Sequence, residues 1–429
     1  MAKHTPEHRP SRPRAAPDAP PRWYERIPWL SLALSVAVIL SSGWAVQPVR
    51  DAVTGADVAE AFLSRSLGYV LISPVSAVLD TLVLLSLRQH AALLGGVVVL
   101  FAAWRVFRAM RSAMTWRNHA LAFTVLIVSI VAVYAAGALL PRPMAALETD
   151  NANILRVDFH SHTDASHDGR QTVAGSRRWH RRAGYNVAYV TDHGSVAGAE
   201  RALAANPQRA GEDMTLLQSI EVTWDGEHVS VLGAQRTYNG LLTQNLRDVD
   251  TTGLRLGSLI PNREPVVIWN HPRVLTRLPM NEGPGTPGIR AVEIVNGSPD
   301  NMNDMQPQRA ALLALAQQRN LALVAGSDNH GWGYVAPGWT LMRIFNWRSM
   351  TPDVLALQIE AVIRGGGFEA TRVVERRVAD ANSMLWASAV TVPARMLTTL
   401  SNDERVSWLV WIWLVTGGLW LWRRRRAST

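Results

Sequence analysis

Ala120–Leu140 contains no charged residue, over a length close to the roughly 20 residues that a helix needs to cross a bilayer. In lipid the backbone polar groups of such a segment must be satisfied internally, which makes it a helix. Other apolar runs accompany it. Ile27–Val46 is uncharged, long for the h-region of a signal sequence and followed by no clear small-residue cleavage site, and reads as an uncleaved span. Leu67–Leu87 is interrupted by Pro74 and Asp80. Ala91–Trp104 extends through Met110 if Arg105 and Arg108 snorkel. Val406–Trp422 is rich in tryptophan, a residue that favours membrane interfaces.

Arginine placement orients these runs. The basic loop Arg105–Arg117 and the tail Arg423–Arg426 should both face the cytoplasm. The chain would then leave through Ala120–Leu140, carry residues 145–400 on the far side and return through Val406–Trp422. The basic tail of residues 1–26 creates a conflict of parity. Either that tail lies outside, or one of Leu67–Leu87 and Ala91–Trp104 does not cross. Pro74 and Asp80 make Leu67–Leu87 the candidate for a re-entrant or interfacial segment, with a buried pair of soluble helices as the alternative.

The formal charge of +9 does not imply a nucleic-acid partner. The excess sits at the two ends and in the Arg105–Arg117 loop, and no basic groove interleaved with aromatics is present. Residues 1–26, rich in Pro, Arg and Ala, read as a disordered tail. The chain has no cysteine, so disulfides and thiolate ligands are excluded and any metal site must use imidazole and carboxylate, a donor set that suits Zn, Mn or Fe.

Between Asp150 and Arg376 short apolar strands alternate with helical stretches, the pattern of an α/β domain with a parallel sheet. Strands are expected at Ile154–Val157, Val187–Val190, Leu216–Val222, His228–Gly233, Val266–Trp269, Ala291–Val295 and Leu321–Ala325. Helices are expected at Thr172–Ala183, closed by Gly184, at Gln308–Arg319, and from Thr351-Pro352 to the Gly365–Gly367 run. Residues 377–404 read as a linker or an amphipathic segment.

Six of the 12 histidines fall on or just after these strands. In Asp158–Gly169, His160 and His162 are two residues apart at a strand end and project from the same side. His160, His162, Asp168, His193, Glu221, His228, His271, Asp328 and His330 all lie on or just beyond a strand. Strand C-termini converge on one face of a β/α barrel. Nine ligands exceed the need of one zinc ion and suit two or three metals.

These residues carry a resemblance. His160-Ser161-His162-Thr163 with Ser166 and Asp168-Gly169, then Thr191-Asp192-His193, Asn270-His271-Pro272 and Ser327-Asp328-Asn329-His330, resemble in order the four motifs of the PHP (polymerase and histidinol phosphatase) superfamily. The resemblance covers about Asp150–Arg376. It implies a distorted (β/α)7-type barrel, here joined to N-terminal transmembrane helices in residues 27–145 and one C-terminal transmembrane helix in residues 405–422. It also implies up to three divalent ions and hydrolysis of a phosphate ester by a metal-activated hydroxide. Carried over, His160, His162, Glu221 and Asp328 would hold one ion, and Glu221 would bridge to a second held with His228 and His271. Asp168, His193 and His330 would hold a third. The chain reads Ser-His-Asp-Gly where many relatives read Ser-Asp-Gly, so the third ion's ligand is open between His167 and Asp168. Asp168 is favoured, and His167 becomes a candidate proton donor to the leaving group. Phosphate favours arginine forks, and Arg170 and Arg273 directly follow two of the motifs.

The expected function is therefore a membrane-anchored metal-dependent phosphoesterase, with its site on the periplasmic or extracellular side of a bacterial inner membrane. Its substrate would be a phosphorylated small molecule or a lipid-linked phosphate. The alternatives are hydrolysis of a C–N or carboxylic ester bond on the same metals, and a catalytically silent metal-binding sensor.

Overall fold

A computed structural model describes residues 28–112, 114–224, 227–237, 259–260, 264–275, 289–378 and 385–427. The expected tail, residues 1–26, lies outside them, as does part of the 377–404 segment. The elements in order are α1 (Trp29–Leu40), β1 (Val49–Asp51), β2 (Ala61–Arg65), α2 (Leu67–Leu71), α3 (Ser73–Val83), α4 (Leu87–Arg111), α5 (Trp116–Leu139), β3 (Ala145–Thr149) and β4 (Ile154–Asp158). They continue with α6 (Val173–Ala183), β5 (Val187–Val190), α7 (Ala197–Ala204), β6 (Thr215–Trp224), β7 (Glu227–Leu232), β8 (Val266–Asn270) and β9 (Ile289–Val295). The chain closes with α8 (Pro299–Gln318), β10 (Ala322–Ala325), β11 (Gly338–Arg343), α9 (Pro352–Gly366), β12 (Arg372–Arg376), α10 (Ser388–Thr398) and α11 (Asn402–Ala427).

Ten strands form one curled sheet in the order β1-β12-β11-β4-β5-β6-β7-β8-β9-β10. The pairs β4–β5–β6 and β8–β9–β10 are parallel, whereas β7 runs antiparallel to both β6 and β8. Strands β5, β8 and β10 are buried along their whole length, which explains why they read as continuous apolar runs rather than alternating ones. The curl brings the end of β10 back to the end of β4. Phe159 donates its N–H to Ala325 O at 3.2 Å and Asp328 to His160 O at 2.8 Å, and Ser161 bridges Asn329 in parallel.

Local signals set the helix ends. Thr172 caps α6 by accepting from Gly175 N, and Gly184 stops it in the left-handed region at φ +88°. Ser86 and Gln89 form a capping box at the start of α4. Helix α8 is longer than the expected Gln308–Arg319, because Pro299 starts it and Pro307 is accommodated inside it.

The N-terminal region departs from a plain set of membrane helices. Two helices, α4 and α5, are long and apolar enough to cross a membrane. The C-terminal α11 is a continuous helix but is less apolar, because its tryptophans and terminal arginines dilute its aliphatics. It packs on α1, with Ser31 Oγ and Thr416 Oγ1 2.6 Å apart. Residues Leu67–Leu87 are not one helix: the chain breaks at Ile72 into α2 and α3. Asp80 on α3 is buried and meets Arg142 at 2.9 Å, Arg376 at 3.4 Å and the Tyr69 hydroxyl at 3.0 Å. That ion cluster ties the pair to Arg376 at the end of β12 and to Arg142 before β3. Strand β1 pairs with β12, and β2 pairs with β3, so residues 49–86 belong to the same body as the sheet.

Candidate metal centre

Beyond β4 the chain turns sharply, and the backbone around His160–Thr163 is held by buried carboxylates. Asp158 accepts from His160 N at 3.2 Å and from Ser327 N at 2.8 Å. Asp192 accepts from Thr163 N at 2.5 Å and from Thr163 Oγ1 at 2.7 Å. The two histidine rings are thereby aimed at one point. His160 Nε2 and His162 Nε2 are 3.1 Å apart. Glu221 Oε2, from the middle of β6, lies 3.2 Å from the first and 3.3 Å from the second. Asp328 Oδ1 lies 3.4 and 3.3 Å from the same two atoms.

These spacings test the site against a metal. Four ligands about 2.0–2.1 Å from one ion stand about 3.3–3.4 Å apart in a tetrahedron. Five of the six separations among these four atoms run from 3.1 to 3.4 Å. His160, His162 and Glu221 converge closely enough to hold one divalent cation, and Asp328 stands within 3.4 Å of both imidazole nitrogens.

Glu221 extends the cluster in two further directions. Its Oε1 lies 3.0 Å from His228 Nδ1 and 3.6 Å from His271 Nε2, and accepts from Asn270 Nδ2 at 3.0 Å. Its Oε2 lies 3.2 Å from His193 Nδ1. The other nitrogen of His193 lies 3.5 Å from Asp168 Oδ2, which is 3.2 Å from His330 Nε2. His162, Asp168, His193 and His330 form a second group of convergent donors, and His193, Glu221 and His228 a third. All nine residues singled out in the sequence stand in this one cluster.

The flanking candidates are placed differently. His167 is 77% exposed at its side chain, with Nε2 3.8 Å from Asp168 Oδ2; Asp168 is the neighbour that reaches the histidines. Arg170 donates its N–H to His330 O and stacks its guanidinium 4.2 Å over the Trp332 ring. Arg273 donates to Asn301 Oδ1 at 3.3 Å, and Asn301 in turn donates to Asp328 Oδ2 at 2.9 Å.

Sequence reasoning passed over three supporting groups. Glu293 on β9 is buried, with Oε1 3.4 Å from His160 Nδ1 and Oε2 accepting from His271 N at 2.6 Å. A lone carboxylate in the apolar run Ala291–Val295 was the available signal. Asp158 and His180, both fully buried, pair at 2.8 Å behind the His160 turn. Gly326 leaves space for Glu293 and His160: a Cβ there would lie 1.8 Å from Glu293 Oε1 and 2.5 Å from His160 Cβ. Two of the nine, His271 at φ +28° and Asp328 at φ +49°, hold left-handed backbone, a strain of about 1–3 kcal/mol each that the surrounding structure must offset.

Charge is arranged accordingly. Burial alone would lower His160, but the Glu221, Asp328 and Glu293 carboxylates outweigh it and hold the ring well above the ordinary imidazole range. Burial likewise opposes ionisation of Glu221 and Asp328, yet the His160 charge and hydrogen bonds from the neighbouring histidines hold both well below the usual carboxylate range. Burial takes His193 down to about 4 and lowers His162. The ionised carboxylates and the lowered His162 and His193 are already in the states that metal ligation requires, whereas His160 and His271, both raised against burial by the neighbouring carboxylates, would have to release a proton when a cation binds.

No family model matches the chain, and no curated protein matches it. Solved structures do. One is a two-domain protein from Bacteroides vulgatus described as containing a predicted PHP-like metal-dependent phosphoesterase, at 15% identity and a TM-score of 0.32, covering 52% of this chain and 66% of that one. Another is an amidohydrolase from Chromobacterium violaceum with bound sulfate, at 17% identity and a TM-score of 0.28, covering 47% of this chain and 98% of that one. A third is PsfC from Pseudomonas syringae, at 16% identity and a TM-score of 0.34, covering 58% of this chain and 100% of that one. This chain thus spans just under two thirds of the Bacteroides protein. At scores this low the likenesses carry no inference about chemistry.

Proposed function

We propose that this chain is a membrane-anchored, metal-dependent phosphoesterase of the PHP superfamily. The observation that carries the reading is the convergence of His160 and His162 on Glu221 and on Asp328 at 3.1–3.4 Å, with Glu221 shared between that set and His228, His271 and His193. The first set would hold one divalent ion, Zn, Mn or Fe, and the two groups around it would hold one or two more. Ions held there supply Lewis acidity and lower the pKa of a bound water.

The protein's own residues do the rest. Glu221 and Asp328 keep the cluster anionic before cations load. Arg170, fixed flat on Trp332, and Arg273, one asparagine removed from Asp328, stand ready to pair with phosphate oxygens. His167, exposed beside Asp168, is the candidate acid for the leaving alcohol.

Topology supports the anchoring. With residues 49–86 joined to the sheet domain, this reading takes four crossings: α4 and α5, which are long and apolar enough, and the shorter α1 with its Ser41–Trp44 extension and the less apolar α11. All three basic segments, residues 1–26, 105–117 and 423–426, then share one side and the domain occupies the other. A broken Leu67–Leu87 that stays with the sheet would resolve the parity conflict. By that rule the domain faces the periplasm or the exterior.

The test is metal analysis of the purified full chain together with turnover on phosphate monoesters and diesters. Two to three equivalents and chelator-sensitive turnover are expected. Absence of metal-dependent turnover on every phosphate ester refutes the reading. Arg170→Ala separates it from carbonyl hydrolysis: a phosphate site should lose about 10–100-fold in kcat/KM for the loss of a charge-assisted contact, and a carbonyl site little.

A further inference from the structure

The metal cluster does not open onto water alone. A cavity of about 390 Å³ runs from Asp168, Asp328 and His330 to the first turn of α4 and the last turns of α5. Its volume is within the range of sites that bury a small ligand. Its far wall is built from Leu82, Val133 and Tyr134, on or next to the two helices long and apolar enough to cross a membrane. The join is covalently short and hydrogen-bonded. Gly333, three residues past His330, donates its N–H to Ala138 O of α5 at 2.9 Å, and the Trp179 indole donates to Gly333 O at 3.1 Å. His90 of α4 and Tyr134 of α5 meet at 2.8 Å in the same wall.

Beyond that wall both helices present apolar side chains outward, Val98 and Val99 on α4 and Ile127 and Val131 on α5 among them. A water-soluble phosphate ester gains nothing from a pocket walled by membrane helices. An ester with a long apolar alcohol gains the burial of each methylene. We infer that the substrate is a lipid phosphate drawn from the leaflet that the domain faces, its phosphate at the metal cluster and its apolar chain along the cavity between the end of α3 and the last turns of α5, with His90 of α4 at its wall. This rests on the phosphoesterase reading and specifies its substrate class. Trp332, 46% exposed at the cavity edge with Arg170 stacked on it, would stand at the headgroup level, where indole rings favour the interface.

The test uses the full chain in nanodiscs, loaded with Zn or Mn, on a series of alkyl phosphate esters from ethyl to hexadecyl. Wild-type kcat/KM should rise with chain length, by up to about fourfold per methylene, until the cavity is filled. Val133→Trp, which narrows the cavity on α5, should lower kcat/KM for the long esters at least tenfold relative to the ethyl ester. A flat chain-length profile in the wild type overturns the inference while leaving the phosphoesterase reading standing. So does a Val133→Trp variant that changes short and long esters in proportion. If that variant does not fold, the wild-type profile decides alone. No turnover at any chain length overturns both.

Discussion

Replacing Glu293 by glutamine should cost this protein metal without costing it its fold. The wild-type carboxylate does two jobs: Oε2 accepts from His271 N at 2.6 Å, and Oε1 faces His160 Nδ1 at 3.4 Å. Glutamine has the same shape but only one acceptor oxygen. If that oxygen stays on His271 N, whose backbone is held at φ +28°, the amide NH2 must face His160 Nδ1. Two donors cannot meet there, so Nδ1 becomes an acceptor and the His160 proton moves to Nε2. That is the atom standing 3.1–3.4 Å from His162, Glu221 and Asp328, and a protonated nitrogen cannot ligate. Loss of such an orienting partner typically lowers metal affinity about 10–100-fold, or about 1.4–2.7 kcal/mol. Chelator competition on the full chain in nanodiscs measures this, with thermal unfolding of the metal-free protein as the control for folding. An affinity and stoichiometry equal to wild type would refute the orienting role of Glu293.

Metal should also invert the pH dependence of stability. In the metal-free protein His160 is raised, so its contribution is present below the ordinary imidazole pKa and is lost as pH rises through the folded value; Glu221 and Asp328 are lowered, so theirs is lost on acidification. Metal-free Tm should therefore peak in mild acid and metal-loaded Tm nearer neutrality or above, and coincident profiles by scanning fluorimetry would contradict this. Asp80→Ala leaves Arg142, 2% exposed, without its carboxylate, and should destabilise by about 3–5 kcal/mol; unfolding unchanged in denaturant would show that the α2–α3 pair is not anchored there. The chain has no cysteine, so single-cysteine variants report topology directly. Thr54→Cys, on an exposed loop after β1, and Ser112→Cys, exposed between α4 and α5, should label with a membrane-impermeant thiol reagent from opposite faces of the bilayer. Labelling from the same face would refute the four-crossing topology.

The sequence by itself determined what is local. Two-residue periodicity put His160 and His162 on one side of a strand end. Capping at Thr172, the Gly184 stop and the uncharged run of α5 follow from residues within a few positions of one another. The strand-end histidines could be read for the same reason, since each sits beside its own apolar run. What the sequence left open depends on residues far apart in the chain. Leu67–Leu87 has the composition of a span, and the break at Ile72 and the meeting of Asp80 with Arg142 and Arg376 become visible only in the fold. Glu293 stands alone in an apolar run, and its role depends on β9 lying beside the His160 turn. The cavity between the metal cluster and α4–α5 is written in no segment. It exists because the Gly333 amide reaches Ala138, and because a curled sheet returns the end of β10 to the end of β4, contacts set by the packing of the whole chain.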